Sequence, residues 1–340
     1  MGVGLRSGAS QFIRRRRCVQ CSIVSAGEGG VSMHSASFTL TAGDGTRLFV
    51  QCWLPETIPK AVVQIAHGLA EHAGRYARLA EALTGAGYGV YANDHRGHGH
   101  TARRAEDLGY FADEGGWRKC VADMRDLNRR IAADHDGVPI ILLGHSMGSF
   151  LCQDFIIEHG GALSGCVLSA TNGKPPPTAW IGRLIGFLEQ VRLGRRGRST
   201  LLHALALGAM NRPFKPARTP FDWLSRDAAE VDKYIADPLC GFIPTVQLYL
   251  DLIGGLVEIA RPSRQARIPR SLPIYVICGD RDPAGRNVEQ LLRAYRRAGL
   301  ARVSHRFYAA GRHEILNELN RDEVTRNLIA WLDETVEGPR

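Results

Sequence analysis

From Ser35 onward, short apolar runs alternate with stretches whose apolar residues recur three and four positions apart. Residues 37–41 and 47–54 predict an antiparallel strand pair turning at Gly43-Asp44-Gly45, and 61–66 a buried strand. Tyr76, Leu79, Ala80 and Leu83 then fall at helical spacing, with Gly85 and Gly87 as the stop. Further strands are predicted at 88–92, 139–143, 163–168, 273–278 and 303–308, and helices at 117–135 and 150–158. A closing helix carries Val324, Leu328, Trp331 and Leu332 on one face. This alternation implies an α/β fold with a mostly parallel sheet covered on both faces. Sites in such sheets lie beyond the carboxyl ends of the strands.

Residues 171–270 break the alternation. Pro175, Pro176 and Pro177 open the segment, an amphipathic stretch at 180–193 and an apolar one at 201–210 follow, and 222–256 has helical spacing. The predicted organisation is a leader at 1–32, a first core part at 33–170, a helical cap at 171–270 and a second core part at 271–340.

Composition narrows the class. With 340 residues, 44% hydrophobic and 23% charged, the chain reads as an ordinary globular protein able to bury a core without staples. The most membrane-like stretch, 242–260, contains Pro244, Asp251 and Glu258, so no transmembrane helix is expected. Cys152, Cys166 and Cys278 sit inside apolar runs, as buried thiols do in a reducing, cytoplasmic compartment. Cys18 and Cys21 form a lone CxxC with no second ligand pair.

The net charge is +9, concentrated in 1–32 (five Arg against Glu28) and in 172–220 (nine Lys or Arg against Glu189). No aromatic interleaving or helix-turn-helix pattern accompanies it, so no nucleic-acid partner is expected. Residues 1–32 show no strand or helix period, and Arg6 stands where a myristoylation motif needs Ser or Thr. They read as a disordered leader, or as sequence upstream of a true start at Met33.

Gly144-His145-Ser146-Met147-Gly148 is a GxSxG between a predicted strand and a predicted helix. There the turn lifts the serine hydroxyl above the sheet and presents the Met147 amide to a developing oxyanion. Such a serine needs a base oriented by an acid. Of the downstream histidines His159, His203, His305 and His313, His313 occupies a loop after the last strand, at the right end of the sheet. The acid falls in Gly279-Asp280-Arg281-Asp282-Pro283, where Asp282 is placed nearer the base but Asp280 stays open. Gly68 would expose the Leu69 amide as the second oxyanion donor. His67, His72 and the histidines of 94–100 lack metal-ligand spacing and read as loop braces, so neither metal nor cofactor is assigned.

HGLAEHAGRY (67–76), NDHRGHG (93–99), GHSMG (144–148), GDRD (279–282), GRHE (311–314) and DWLSRD (222–227) together resemble the monoacylglycerol lipase and lysophospholipase branch of the α/β-hydrolases, over about 38–332. The resemblance implies the α/β-hydrolase fold with an inserted cap. It also implies Ser146 as nucleophile, His313 as base, Asp282 as acid, and Leu69 and Met147 as oxyanion amides. The implied reaction is hydrolysis of a single-chain acyl lipid, a monoacylglycerol or lysophospholipid, through an acyl-enzyme. Alternatives are a carboxylesterase for small soluble esters and an inactive binding protein of the same fold. A peptidase lacks an evident amine-binding acid cluster, and dehalogenases and epoxide hydrolases carry Asp where Ser146 stands. Trp180, Leu184 and Phe187 are the expected pocket residues of the cap. The stripe of Ile181, Leu184, Ile185, Leu188 and Val191 either packs on the core or docks on an anionic membrane surface, helped by Arg195, Arg196 and Arg198.

Overall fold

The computed structural model describes residues 33–338 apart from Pro177 and Arg286, together with the backbone of 20–24. Its strands are β1 (Gln20–Val24), β2 (Met33–Thr41), β3 (Arg47–Pro55), β4 (Ala61–Ala66), β5 (Tyr88–Asn93), β6 (Ile140–His145), β7 (Gly165–Ser169), β8 (Ile274–Gly279) and β9 (Val303–Tyr308). They form one sheet in the order β1-β2-β3-β5-β4-β6-β7-β8-β9. β1, β2, β3 and β5 pair antiparallel, and every pair from β5 to β9 is parallel.

The central strands read as continuous apolar runs because both faces are buried. Ile141, Leu143, Val167, Tyr275 and Ile277 point to one side, and Leu142, Cys166, Leu168, Val276 and Cys278 to the other. The first side packs α1 (Ala77–Gly85) and the last helix, Arg321–Glu337, whose Val324, Leu328 and Leu332 are fully buried. The second side packs α2 (Gly116–Asp134) and α3 (Met147–His159). The six described cysteines with placed side chains, Cys152, Cys166 and Cys278 among them, are buried free thiols.

The cap comprises α4 (Ala179–Leu193), α5 (Thr200–Ala206), α6 (Ala228–Ala236), α7 (Val246–Ile259) and the short α8 (Pro262–Gln265). The stretch of helical spacing across 222–256 forms two helices, with 237–245 between them. Pro238, Gly241 and Pro244 interrupt the period, and Thr245 restarts it by accepting the Leu248 amide as an N-cap. α9 (Val288–Arg297) joins β8 to β9, and α10 is Arg321–Glu337. α9 lay unread in the sequence, although Val288, Leu291, Leu292 and Tyr295 give it a clear buried stripe.

Two further expectations change. Residues 20–24 show no strand period, yet their backbone pairs with β2 at the sheet edge, where backbone hydrogen bonds suffice without a buried face. The rest of 1–32, with the Arg run and Cys18, and the side chain of Cys21, lie outside the described residues. The three arginines after α4 are not simply solvated. Arg198 donates to the carbonyls of Leu108 (2.8 Å) and Ile243, Arg195 to that of Asp113, and Arg196 pairs with Asp107 and lies over the Tyr110 ring. They fasten the cap to the 105–113 loop of the core.

Candidate active site

Ser146 stands between β6 and α3 with φ 50° and ψ −119°, a conformation L-residues rarely adopt. The flanking glycines make that turn possible. A Cβ on Gly148 would lie 2.0 Å from the Ala66 carbonyl oxygen, and one on Gly144 would lie 2.5 Å from that of Gly148. The Ser146 amide donates to the Ser169 carbonyl at 3.0 Å, which ties the turn to β7.

The loops after β8 and β9 bring the partners. Ser146 Oγ lies 2.9 Å from His313 Nε2, and His313 Nδ1 lies 3.0 Å from each oxygen of Asp282. Asp282 and His313 are both buried, and Asp282 Oδ1 also accepts the Ala284 amide at 2.8 Å. Asp280, the alternative acid, is exposed. From above, Trp223 of the cap packs its ring 4.8 Å from that of His313, and the His313 amide donates to its carbonyl.

Leu69 and Met147 both line the cavity above Ser146, and neither amide meets a protein acceptor among the described residues. Gly68 is required for space rather than for a left-handed turn: a Cβ there would meet Glu71 Oε1 at 2.7 Å and Ser146 Cβ at 3.3 Å. The left-handed residue of this loop is Ala70, at φ 55°.

The cavity holds about 350 Å³ and is walled by Phe150, Leu207, Met210, Phe221, Leu252 and Leu256. Trp180, Leu184 and Phe187 do not line it. Trp180 and Leu184 are 65% and 51% exposed, and Phe187 faces a separate cleft on the other side of α7. The reason is the inner face of α4. Gly186 meets α7 so closely that a Cβ would lie 2.6 Å from Leu250 Cδ2, and buried Glu189 accepts from Ser199 Oγ at 2.5 Å. Ile185 and Leu193 share that inner face, packed against Leu202, Val246, Tyr249 and Leu250, and Trp180, Leu184 and Phe187 turn outward.

The family model described as serine aminopeptidase, S33, matches residues 57–320. The chain belongs to that hydrolase family. It is 30% identical over 311 residues to a monoacylglycerol lipase of Mycolicibacterium smegmatis, covering 89% of this chain and 98% of the relative. It is 29% identical to a monoglyceride lipase of Mus musculus, covering 83% and 88% respectively. Among solved structures, a carboxyl esterase from Bacillus coagulans in complex with glycerol superposes with a TM-score of 0.82 at 27% identity, covering 89% of this chain and 99% of that one. The chain is thus an α/β-hydrolase and a carboxylic ester hydrolase of the serine type.

His313 is tuned by its neighbours. Burial alone would lower the His313 pKa, but the Asp282 carboxylate, by charge and hydrogen bond, raises it above the ordinary histidine value. Glu314 and Glu71 add to that rise.

The sequence reading passed over those two carboxylates. Glu71 accepts from the Gly68 amide (2.5 Å), Tyr76 Oη (2.9 Å) and Arg75 (2.7 Å), and Arg75 forks onto Glu314 at 2.7 and 2.8 Å. The network thereby joins the Leu69 loop to the His313 loop. Its signal was present in HGLAEHAGRY and GRHE as Glu71, Arg75 and Glu314, charged residues within motifs that flank the site.

Two of the predicted braces, His67 and His72, have partners. His67 Nε2 accepts the His95 amide at 2.9 Å, and His72 contacts Asp237 of the cap at 2.8 Å. His72, Asp237 and Cys240 bring ligand-type atoms within 4.8 Å of one another. His72 Nδ1 accepts the Gly74 amide, so Nε2 carries the proton and donates it to Asp237. That tautomer suits a brace, not a metal ligand.

Proposed function

We propose that this hydrolase cleaves single-chain acyl esters, a monoacylglycerol or lysophospholipid, through an acyl-enzyme on Ser146. The reading rests on one observation: the hydrogen-bond chain Ser146–His313–Asp282 opens into an apolar cavity of about 350 Å³. That volume is near the small end for ligand pockets, room for one acyl chain rather than two. In the proposed reaction His313 Nε2 takes the Ser146 proton as Oγ attacks the ester carbonyl. The Leu69 and Met147 amides receive the oxyanion, and His313 then protonates the leaving alkoxide. Water, activated by the same histidine, releases the fatty acid. Asp282 holds Nδ1–H and stabilises the imidazolium throughout.

A peptidase reading needs an unpaired acid for a substrate ammonium. Glu71 and Glu314 line the cavity, but both are already paired with Arg75. Among the described residues no helix is long and apolar enough to cross a membrane. The outward face of α4 supports contact with a lipid surface instead, since Trp180, Leu184, Leu188 and Val191 are all more than half exposed. The buried free thiols fit a cytoplasmic location for such a peripheral enzyme.

A fluorophosphonate probe and an ester panel test the reading together. Wild type should be labelled at Ser146 and should prefer medium or long monoacyl substrates to acetate esters. Ser146→Ala should lose labelling and about a million-fold in turnover with its melting temperature unchanged. A preference for acetate esters would favour a small-ester carboxylesterase, and labelling elsewhere would overturn the triad assignment.

A further inference from the structure

Residues 259–279 carry four arginines and no acidic residue, and residues 290–313 carry six arginines and no acidic residue. The fold sorts these arginines into two groups. Arg261, Arg264, Arg267, Arg293 and Arg306 pair with carboxylates, and Arg312 donates to the cap carbonyls of Asp222 and Ser225. Arg270, Arg296, Arg297 and Arg302 are exposed and make no ion pair among the described residues.

The four unpaired arginines meet at one place. Arg296 and Arg297 end α9, and Arg270 and Arg302 stand before β8 and β9. Backbone bonds draw these points together: the Ala301 amide donates to the Arg270 carbonyl at 3.0 Å, and the Ile274 amide to that of Arg302 at 2.8 Å. The Gly299 amide donates to the Arg296 carbonyl at 3.0 Å, and a Cβ on Gly299 would lie 3.4 Å from Arg270 Nε. The carbonyl end of a helix favours cations, which accounts for Arg296 and Arg297. It does not account for Arg270 and Arg302 beside them, since gathered like charges repel. Glu334 borders the patch next to Arg302 but pairs with none of the four.

The surroundings say what such a patch fits. Among the described residues no large apolar side chain between 259 and 306 is exposed, so charge rather than apolar burial has to hold a partner here. The rings beside Arg302, Tyr275 and Trp331, stack on each other at 5.3 Å rather than standing free for a base. The patch lies at the amino ends of β8 and β9, about 20 Å of strand from the triad loops at their carboxyl ends. A lipid surface that meets the cap therefore leaves this end of the molecule uncovered. Going beyond the hydrolase reading, we propose that Arg270, Arg296, Arg297 and Arg302 form a docking surface for an acidic segment of a partner protein. Guanidinium groups fork onto carboxylates, and a partner held there leaves the cavity mouth free.

Fluorescence anisotropy of a labelled decaglutamate peptide, measured on the full chain at low salt, tests the proposal. Wild type should bind the peptide, with an affinity that falls steeply as salt rises. Replacing Arg270, Arg296, Arg297 and Arg302 together by glutamine should weaken binding about ten-fold. Arg103, Arg118, Arg129 and Arg183 are also exposed and without an ion pair among the described residues, so their joint replacement by glutamine removes the same charge elsewhere. That second variant should bind within about two-fold of wild type. An unchanged melting temperature shows that both variants fold, as substitutions at exposed sites should. Equal losses in the two variants would reduce the effect to net charge and overturn the proposal, as would wild type that does not bind the peptide. Duplex DNA or phosphatidylglycerol vesicles that lose more binding than the peptide does in the first variant would make nucleic acid or lipid the occupant, and that too overturns it.

Discussion

Around Glu71 two carboxylates, a guanidinium and a phenol are buried and paired, whereas along α4 a tryptophan, two leucines and a valine stand in the open. Floor and cap enclose the same cavity under opposite constraints. The floor must hold Ser146 at φ 50° and align three loops within hydrogen-bond distance, so its polar groups are engaged in place. The inner side of the cap is fastened to the core at many points, among them Arg195 and Arg198 on core carbonyls, Trp223 on His313, His72 on Asp237 and Arg226 on Glu318, whereas the outer face of α4 stands exposed. A substitution of given size should therefore cost far more in the floor than on that outer face.

The sharpest form of that contrast lies within one loop. Asp282 holds His313 in the tautomer that can accept the serine proton, while Asp280, two residues earlier, faces solvent. Asp282→Asn should lower kcat/KM about ten-thousand-fold and Asp280→Asn by less than about ten-fold. Steady-state kinetics on a soluble ester decides it. The reverse order would move the acid and break the floor as described.

An ion pair in each region gives the second comparison. Arg75→Met leaves Glu71 and Glu314 buried without their shared cation, at a cost of about 3–5 kcal/mol. Arg192→Met removes one partner of Glu189, whose other partner Ser199 remains, and since the arginine side chain is 63% exposed the loss should be far smaller. Urea denaturation of both variants measures the difference. Equal losses would mean that the cap is as tightly determined as the floor.

These differences also explain what could be read in advance. The central strands were legible because two buried faces force unbroken apolar runs such as Ile140-Ile141-Leu142-Leu143, and the nucleophile turn because Gly144 and Gly148 permit no side chain. The choice of Asp282 over Asp280 came from the resemblance, since spacing alone cannot say which carboxylate a loop turns inward. The facing of α4 was not legible. A stripe at helical spacing shows that a helix has an apolar side, but not what that side meets. Here Gly186 and Glu189 make the inner contact with Ile185 and Leu193, and of the predicted stripe only Ile185 belongs to that packed face. The Glu71–Arg75–Glu314 network stayed hidden because Glu314 lies 239 residues from Arg75 and only folding brings the two together.

Histidines separate the floor's chemistry from its stability on the pH axis. Burial lowers His67 well below its ordinary value, and lowers His95 to about 3, with His98 and His145 to about 4. Above about pH 6.5 these rings are neutral in the folded and unfolded states alike and cost nothing. Below it the unfolded chain binds protons that the fold refuses, so stability falls by about 1.4 kcal/mol per pH unit for each ring until the folded values are reached. His313 is shifted the other way, so the base is lost to protonation at a pH above the ordinary histidine value. On acidification kcat/KM should therefore fall first, with the melting temperature following only below about pH 6.5. Simultaneous loss of both would show that protonation of His313 is not what stops turnover.

The smallest effect concerns the outer face of the cap, where no buried partner is at stake. Trp180, Leu184 and Leu188 contribute to no cavity wall at the triad, and their exposure carries a cost in water that a lipid surface would remove. Arg195, Arg196 and Arg198 are bonded to the core, which limits their attraction for anionic lipid, so binding should depend on the apolar face more than on salt. Replacing Trp180, Leu184 and Leu188 together by serine should weaken sedimentation with phosphatidylcholine–phosphatidylglycerol vesicles several-fold. Hydrolysis of a soluble short ester should stay within about two-fold of wild type, since single exposed sites rarely shift the fold by more than about 0.5 kcal/mol. The same residues packed against the floor would behave oppositely, with vesicle binding unchanged and stability lost. That outcome would return α4 to the core and erase the contrast between the two walls of the cavity.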